Sequence, residues 1–239
     1  MIRARVVDVE TTGLPEEGMP HDHAMIEAAR CDVIFHPSGE VVVSRPEAML
    51  INPGRAIDPE ASAAHHLVAA DLVGAPPPAA GIAFLMSDPP DYFVAHRADF
   101  DRQFFDCAHI PWVCTYKAAL RVWPDAPRHS NQTLRYWLGI EDQIDRAAAS
   151  PSHRAGPDAY VTAHLLAALV AEGTSLDDMA RWSAGPALLP KIGFGKHKGA
   201  RWEDLPTDYL NWLLFKATEI DRDAKANAKY HLRKRGVAV

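Results

Sequence analysis

Asp8 and Glu10 alternate with Val7 and Val9 in the stretch Val6-Val7-Asp8-Val9-Glu10-Thr11-Thr12-Gly13-Leu14. In a strand, successive side chains point to opposite faces, so both acids leave one face and both valines the other. Two carboxylates ending an apolar strand are costly, because burial and mutual repulsion each disfavour ionisation. A divalent cation shared between them removes the conflict. Thr11, Thr12 and Gly13 then turn the chain, and Gly13 can bring backbone close to a ligand. Asp-x-Glu by itself equally describes a strand running into solvent with two surface acids, so chemistry depends on partners further along. Asp101 and Asp158 are two such partners, each where a strand ends or a helix begins, and His153 stands just before the second. Oxygen ligands of this kind suit Mg²⁺ or Mn²⁺ rather than zinc. Two ions about 3.5–4 Å apart would clamp the attacking and leaving oxygens of an in-line phosphoryl displacement. A histidine beside them can take the proton of the attacking water. Spacing alone does not establish that the three segments meet.

The elements that must carry these residues can be read coarsely. Pro15 to His23 is a polar loop, and His21, His23 and His36 read as surface loop residues. Ala24–Phe35 and Glu40–Arg45 form two strands around the turn His36-Pro37-Ser38-Gly39. Glu27, in the first of these, reads as a surface residue, with support of the metal site as the alternative. Asp58 caps and Pro59 opens a short helix reaching His66, and a second helix runs from Ala79 to Met86. Tyr92–His96 is a short buried strand, and a helix starts over Arg97–Phe105, with Phe100 and Phe104 on one face. Trp112–Thr115 ends another strand and leads into a helix from Tyr116 to Trp123. Ser130 caps a helix from Asn131 that stops at Gly139. A long amphipathic helix covers Ala159–Glu172, and His164 within it reads as structural. Strands first, then strands alternating with helices, predict an α/β sheet whose first strands are antiparallel.

Three segments together resemble a known family. Asp8-Val9-Glu10-Thr11-Thr12-Gly13 is similar to the first motif of the DnaQ-like, DEDDh-type 3′→5′ exonucleases. His96-Arg97-Ala98-Asp99-Phe100-Asp101 resembles the second, and His153-Arg154-Ala155-Gly156-Pro157-Asp158 matches the third, H-x-A-x-x-D. Ala61-Ser62-Ala63-Ala64-His65-His66-Leu67 resembles the family segment that places a histidine near the 3′-terminal nucleotide. The resemblance covers about residues 1–175. It implies an α/β, ribonuclease-H-like mixed sheet flanked by helices. It implies Asp8, Glu10, Asp101 and Asp158 as metal ligands for two Mg²⁺ or Mn²⁺ ions and His153 as general base. Thr11, Thr12, Gly13, Leu14, His65 and Phe100 would surround the terminal nucleotide. The family usually has Asn where this chain has Arg97, which could hold a phosphate oxygen or point away and structure its loop. Pro157, also unusual there, fits the first turn of a helix.

Composition bounds what remains. No apolar run approaches the about 20 residues of a membrane span, and mean hydropathy is -0.17. The start, Met1-Ile2-Arg3-Ala4-Arg5, lacks the features of a signal peptide, and the three cysteines form no Cys-x-x-Cys pair. A reducing cytoplasm is the simplest compartment. The net charge of -6 is uneven: after Pro186 there are 11 Lys+Arg against 6 Asp+Glu, leaving 14 against 25 before it. An acidic body with a basic tail fits a polyanionic partner reached through the C-terminus, and on charge alone equally fits a solvated basic helix face. The expected organisation is a nuclease domain over residues 1–182, a Gly/Pro/Ala linker over 183–190 and a small basic module over 191–239. The module resembles one appended to such enzymes, with a glycine-rich hairpin, a helix starting at Pro206 and a basic helix over Ala224–Arg235. Lys196, Lys198 and Arg201 are candidate DNA contacts. The Gly195 and Gly199 loop lacks the spacing of a nucleoside-triphosphate site. Trp112, Trp123, Trp137 and Trp182 read as core, as do Trp202, Tyr209 and Trp212 of the module, with base stacking the alternative. The expected activity is hydrolysis of DNA from a single-stranded 3′ end or duplex end, in repair or degradation. The alternatives are an exoribonuclease and a non-catalytic nucleic-acid-binding protein.

Overall fold

The computed structural model describes residues 1–15 and 22–239; His21 and most of the loop expected over Pro15–His23 lie outside the described residues. Strand β1, Ile2–Thr11, is the centre of a six-stranded mixed sheet. Its antiparallel neighbour is β2, Met25–Phe35, whose far edge pairs with β3, Val41–Val43, and β4, Glu47–Leu50. Helices α1, Pro59–His65, and α2, Pro78–Met86, follow. Then β5, Tyr92–Ala95, pairs parallel to β1, and after the single turn α3, Ala98–Asp101, β6, Trp112–Cys114, pairs parallel to β5. The order β3-β2-β1-β5-β6 places β1 inside the sheet with helices on both faces, which is why its Val/Ala positions are buried on both sides.

The remaining helices of the body are α4, Thr115–Val122, α5, Asn131–Trp137, α6, Ala155–Ala171, and α7, Leu176–Ser183. One face of the sheet, carrying Ala4, Val6, Ala29 and Val33, packs on Leu165, Leu166 and Leu169 of α6. The other face, carrying Val7, Val9 and Phe93, packs on Leu85, Phe105 and Trp112. Asp8 and Glu10 share their face with Ala4 and Val6, so the alternation aims both acids at α6. The register of β1 against β2 sets Asp8 opposite Ala29 and Glu10 opposite Glu27, and it shifts between Glu10 and Thr11. Such an irregularity bends a strand locally and re-aims its end.

Several expectations are corrected. The long helix begins at Ala155 rather than Ala159, because its first free amide, that of Ala155, donates to the Glu27 carboxylate at 3.1 Å. Glu27 is accordingly buried, not a surface residue. The helix expected over Arg97–Phe105 is a single turn. β4 and α7 were not anticipated; α7 is capped by Ser175, which accepts from the Asp178 amide. Trp112 and Trp123 are core residues, but Trp137 is 44% exposed. No single helix among the described residues is long and apolar enough to cross a membrane, and the bent pair α6–α7 that passes by composition is core.

Past a coil, helices α8, Thr207–Phe215, and α9, Arg222–Lys234, pack together. They enclose a separate apolar cluster of Ile192, Trp202, Leu205, Leu210, Leu213 and Leu232. The expected hairpin reduces to one bridge, Lys191 to Arg201, between tight 3₁₀ turns. Trp202 and Tyr209 are buried as expected of core residues, whereas Trp212 is 45% exposed and stacks on Tyr209 at 5.6 Å.

Candidate active site

The three separated segments converge. Ligand oxygens of Asp8, Glu10 and Asp158 lie within 4.8 Å of one another. Asp101, buried in α3, adds a fourth acid, and its charge bears directly on Asp8. All four line one cleft of about 690 Å³, and His153 lines it too. Burial, then repulsion from Asp101, Glu10 and Asp158, raises the Asp8 carboxyl well above the usual range. Burial and the charges of Asp158 and Glu27 push Glu10 to about 8, and burial pushes Asp101 to about 8. Carboxyls so placed favour either protons or a divalent cation, and their all-oxygen donor set fits a hard cation.

Asp158 is held from both sides. Its Oδ1 accepts from Asn131 Nδ2 at 3.2 Å and Gln132 Nε2 at 3.0 Å, and its Oδ2 accepts from the His153 amide at 2.8 Å. His153 itself is solvent-exposed and adopts φ +59°. Thus one turn delivers both ligand and candidate base. That turn is anchored in the sheet: Glu27 accepts from Arg154 Nε at 2.9 Å and Nη2 at 2.6 Å, besides capping α6. Gln132 carries no motif of its own, and for Glu27 the sequence offers only its place across from Glu10 in a hairpin, with support of the metal site as the alternative reading.

The residues expected around a terminal nucleotide divide into two groups. Leu14, Arg97 and Phe100 line the cleft. Thr11, Thr12 and Gly13 form the turn after β1, and His65, at the end of α1, packs against the Thr11 backbone; none of the four lines the cleft. Thr11 Oγ1 donates to Gly13 O at 2.8 Å, and Thr12 Oγ1 accepts from the Ala24 amide at 3.0 Å. Gly13 gives that turn room: a Cβ there would press on the side-chain ends of Asp58 and His23, which would have to move aside. His65 is buried, with Nδ1 accepting from the Leu67 amide at 3.0 Å. Arg97 sits at φ +71°, left-handed backbone that Asn tolerates better than Arg, and its guanidinium lies 4.4 Å from the Tyr116 ring centroid. Tyr116 and Lys117, which had no motif signal, also line the cleft. Lys117 is buried and donates to Asp99 Oδ2 at 2.7 Å and Ser183 O at 3.1 Å. In the C-terminal part, Lys196 and Lys198 are exposed, while Arg201 is committed to Asp125 at 2.6 Å.

A mixed sheet that brings four acids from the β1 end, α3 and the first turn of α6 to one cleft beside a histidine has the architecture of DEDDh-type 3′-exonucleases. Exodeoxyribonuclease 10 of Escherichia coli (strain K12) is 29% identical over 232 residues, spanning 95% of this chain and 98% of that protein. The solved structure of exonuclease X in complex with 5′ overhanging duplex DNA is 31% identical, with a TM-score of 0.62, over 75% of this chain and 99% of that one. The chain belongs to the exonuclease X family. The nuclease domain of 3′hExo, a DEDDh family member bound to rAMP, is 13% identical with a TM-score of 0.53 over 72% of this chain and 92% of that one. At that identity it shares the fold. No protein-family model matches the chain. The match over 95% of the chain reaches into the C-terminal module.

Proposed function

We infer that this enzyme removes nucleoside 5′-monophosphates one at a time from the 3′ end of DNA, with a duplex end bearing a 5′ overhang among its substrates. The observation that carries this is the meeting of Asp8, Glu10 and Asp158 within 4.8 Å, in a cleft that also holds Asp101 and His153. A neighbouring exonuclease X was solved with such a duplex. Asp8, Glu10, Asp101 and Asp158 would hold Mg²⁺ or Mn²⁺, in a two-ion site. Cations bound there supply charge neutralisation at the scissile phosphate and a more acidic water. His153 accepts the proton of that water. The Asn131 and Gln132 amides fix the Asp158 carboxylate, and the Glu27–Arg154 pair fixes the turn that carries His153. Leu14 and Phe100 pack on the terminal nucleoside, with the turn Thr11-Thr12-Gly13 and His65 of α1 beside them. Residues 191–239 form a module that retains DNA through Lys196 and Lys198. Hydrolysis of 5′-labelled DNA and RNA oligonucleotides with Mg²⁺, Mn²⁺ or EDTA tests this. Cation-dependent release of mononucleotides from DNA is expected. Cleavage of RNA alone would make it an exoribonuclease, and binding without cleavage would make it a non-catalytic relative.

A further inference from the structure

The catalytic cleft is not closed by the body alone. Ala187, in the coil after α7, and Arg222 and Asp223, at the start of α9, line it as well. The seam is built from buried polar contacts. Asn227 is 1% exposed. Its Nδ2 donates to Ala187 O at 2.7 Å and Asp223 O at 2.8 Å, and its Oδ1 accepts from the Leu189 amide at 2.9 Å. Asp223 Oδ1 accepts from the Ala187 amide at 3.0 Å. Arg201 ties the module to Asp125 on the coil after α4. A buried asparagine with both ends of its amide satisfied specifies one arrangement, since any displacement strands polar groups in the interior. The start of α9 is therefore held at the cleft in fixed register.

At this seam the acids are occupied and the cation is not. Asp221 accepts from the Ala224 amide at 2.6 Å, and Asp223 is taken by Ala187. Arg222, between them, is exposed and makes no hydrogen bond or ion pair among the described residues. On the body's side of the cleft Lys117 is spent on Asp99, whereas Arg97 rests on Tyr116 and makes no ion pair among the described residues. Two uncommitted guanidinium groups, one from each part of the chain, thus border an acidic centre. A guanidinium presents a planar fork of donors that matches phosphate oxygens, and it does so without needing to lose a strong partner first.

We propose that Arg222 binds a phosphate of the substrate strand inside the catalytic cleft, so that the C-terminal module completes the substrate site instead of only tethering DNA at a distance. This rests on the nuclease function inferred above. The test uses the full-length chain. Binding of 5′-fluorescein single strands of four and of twenty nucleotides is measured by anisotropy with Ca²⁺ replacing Mg²⁺, for wild type, Arg222→Ala and Arg222→Lys. Arg222→Ala is expected to weaken both lengths about tenfold, the scale of one charge-assisted contact. The log–log salt slope should fall by about 0.7, one single-strand phosphate contact. Arg222→Lys should recover part of the loss. With Mg²⁺, KM should rise by a similar factor while kcat stays within about threefold, as expected when ground-state and transition-state binding are lost together. If the four-nucleotide strand binds Arg222→Ala as tightly as wild type, the proposal is overturned, whatever happens to the longer strand. If wild type binds both strands but never hydrolyses them, the inferred activity fails, and the anisotropy comparison still decides the role of Arg222.

Discussion

At the scale of single residues, the site gathers four acids, three of them held well above their usual protonation range. Burial raises Asp8, Glu10 and Asp101, and repulsion from neighbouring acids raises Asp8 and Glu10 further, so a bound divalent cation relieves strain as well as serving chemistry. Mg²⁺ or Mn²⁺ is therefore expected to raise the Tm by several degrees. Asp8→Ala should abolish both that shift and hydrolysis; full nuclease activity in Asp8→Ala would refute the ligand assignment. His153 is exposed and bound to Asp158 only through its backbone amide, so its side chain can be changed without disturbing the ligand. His153→Ala should lower kcat about 10²–10⁴-fold, the usual worth of a general base. The cation-induced Tm shift should persist. An unaltered kcat across neutral pH would assign proton transfer to another group.

At the scale of elements, two polar links register helices against the sheet. Glu27 in β2 joins Arg154 and the first turn of α6, and thereby sets where Asp158 and His153 stand. Removing one partner of a largely buried pair leaves an uncompensated charge. Glu27→Gln should cost about 3 kcal/mol, the lower end for such pairs, because Arg154 keeps part of its side chain in water. Denaturant unfolding measures the loss, and kcat should fall with it; a variant as stable as wild type would show that the pair is dispensable. The second link is His96 at the end of β5, whose Nδ1 meets Thr115 Oγ1 at 2.9 Å and Nε2 meets His129 O at 2.7 Å. Burial is the main cause holding this imidazole down to about 4. A group whose folded value is depressed stabilises the fold above its unfolded value of about 6.5 and loses that contribution as pH falls toward the folded one. Stability should thus decline between about pH 6.5 and 4, and His96→Gln should flatten this part of the Tm profile. An identical profile in the variant would assign the decline to other groups.

At the scale of the whole molecule, a basic part with net charge +5 stands against a body of -11, counted on either side of Pro186. Under the proposed function, the body would repel nucleic acid at long range and the module would offset that repulsion. The module has its own apolar cluster, tied to the coil after α7 through Asn227 and to the body through the Arg201–Asp125 pair. Truncation after Leu189 should leave the acids of the active site in place and kcat near normal at saturation. DNA binding should weaken most at low salt, with a flatter salt dependence, since phosphate neutralisation dominates non-specific affinity. A truncated enzyme with the same affinity and the same salt slope would reduce the module to a packing or protein-binding role.

Period and order made much of this legible in the sequence alone. Alternation in β1 put Asp8 and Glu10 on one face, turn residues marked the β2–β3 hairpin, and Ser130 with Gly139 bracketed α5 within a residue. Three ordered motifs then pointed to one acidic centre. These features are local: each depends on neighbours a few positions away, and backbone geometry converts such spacing directly into direction. Tertiary structure decided the rest. Glu27 reads as a surface acid in the sequence, but α6 starts on top of it; Arg201 meets Asp125 from a distant segment; and Arg222 carries no motif at all. A side chain's burial and partners depend on segments distant in sequence. For an uncommitted cation or a buried carboxylate, it is those partners that determine the role.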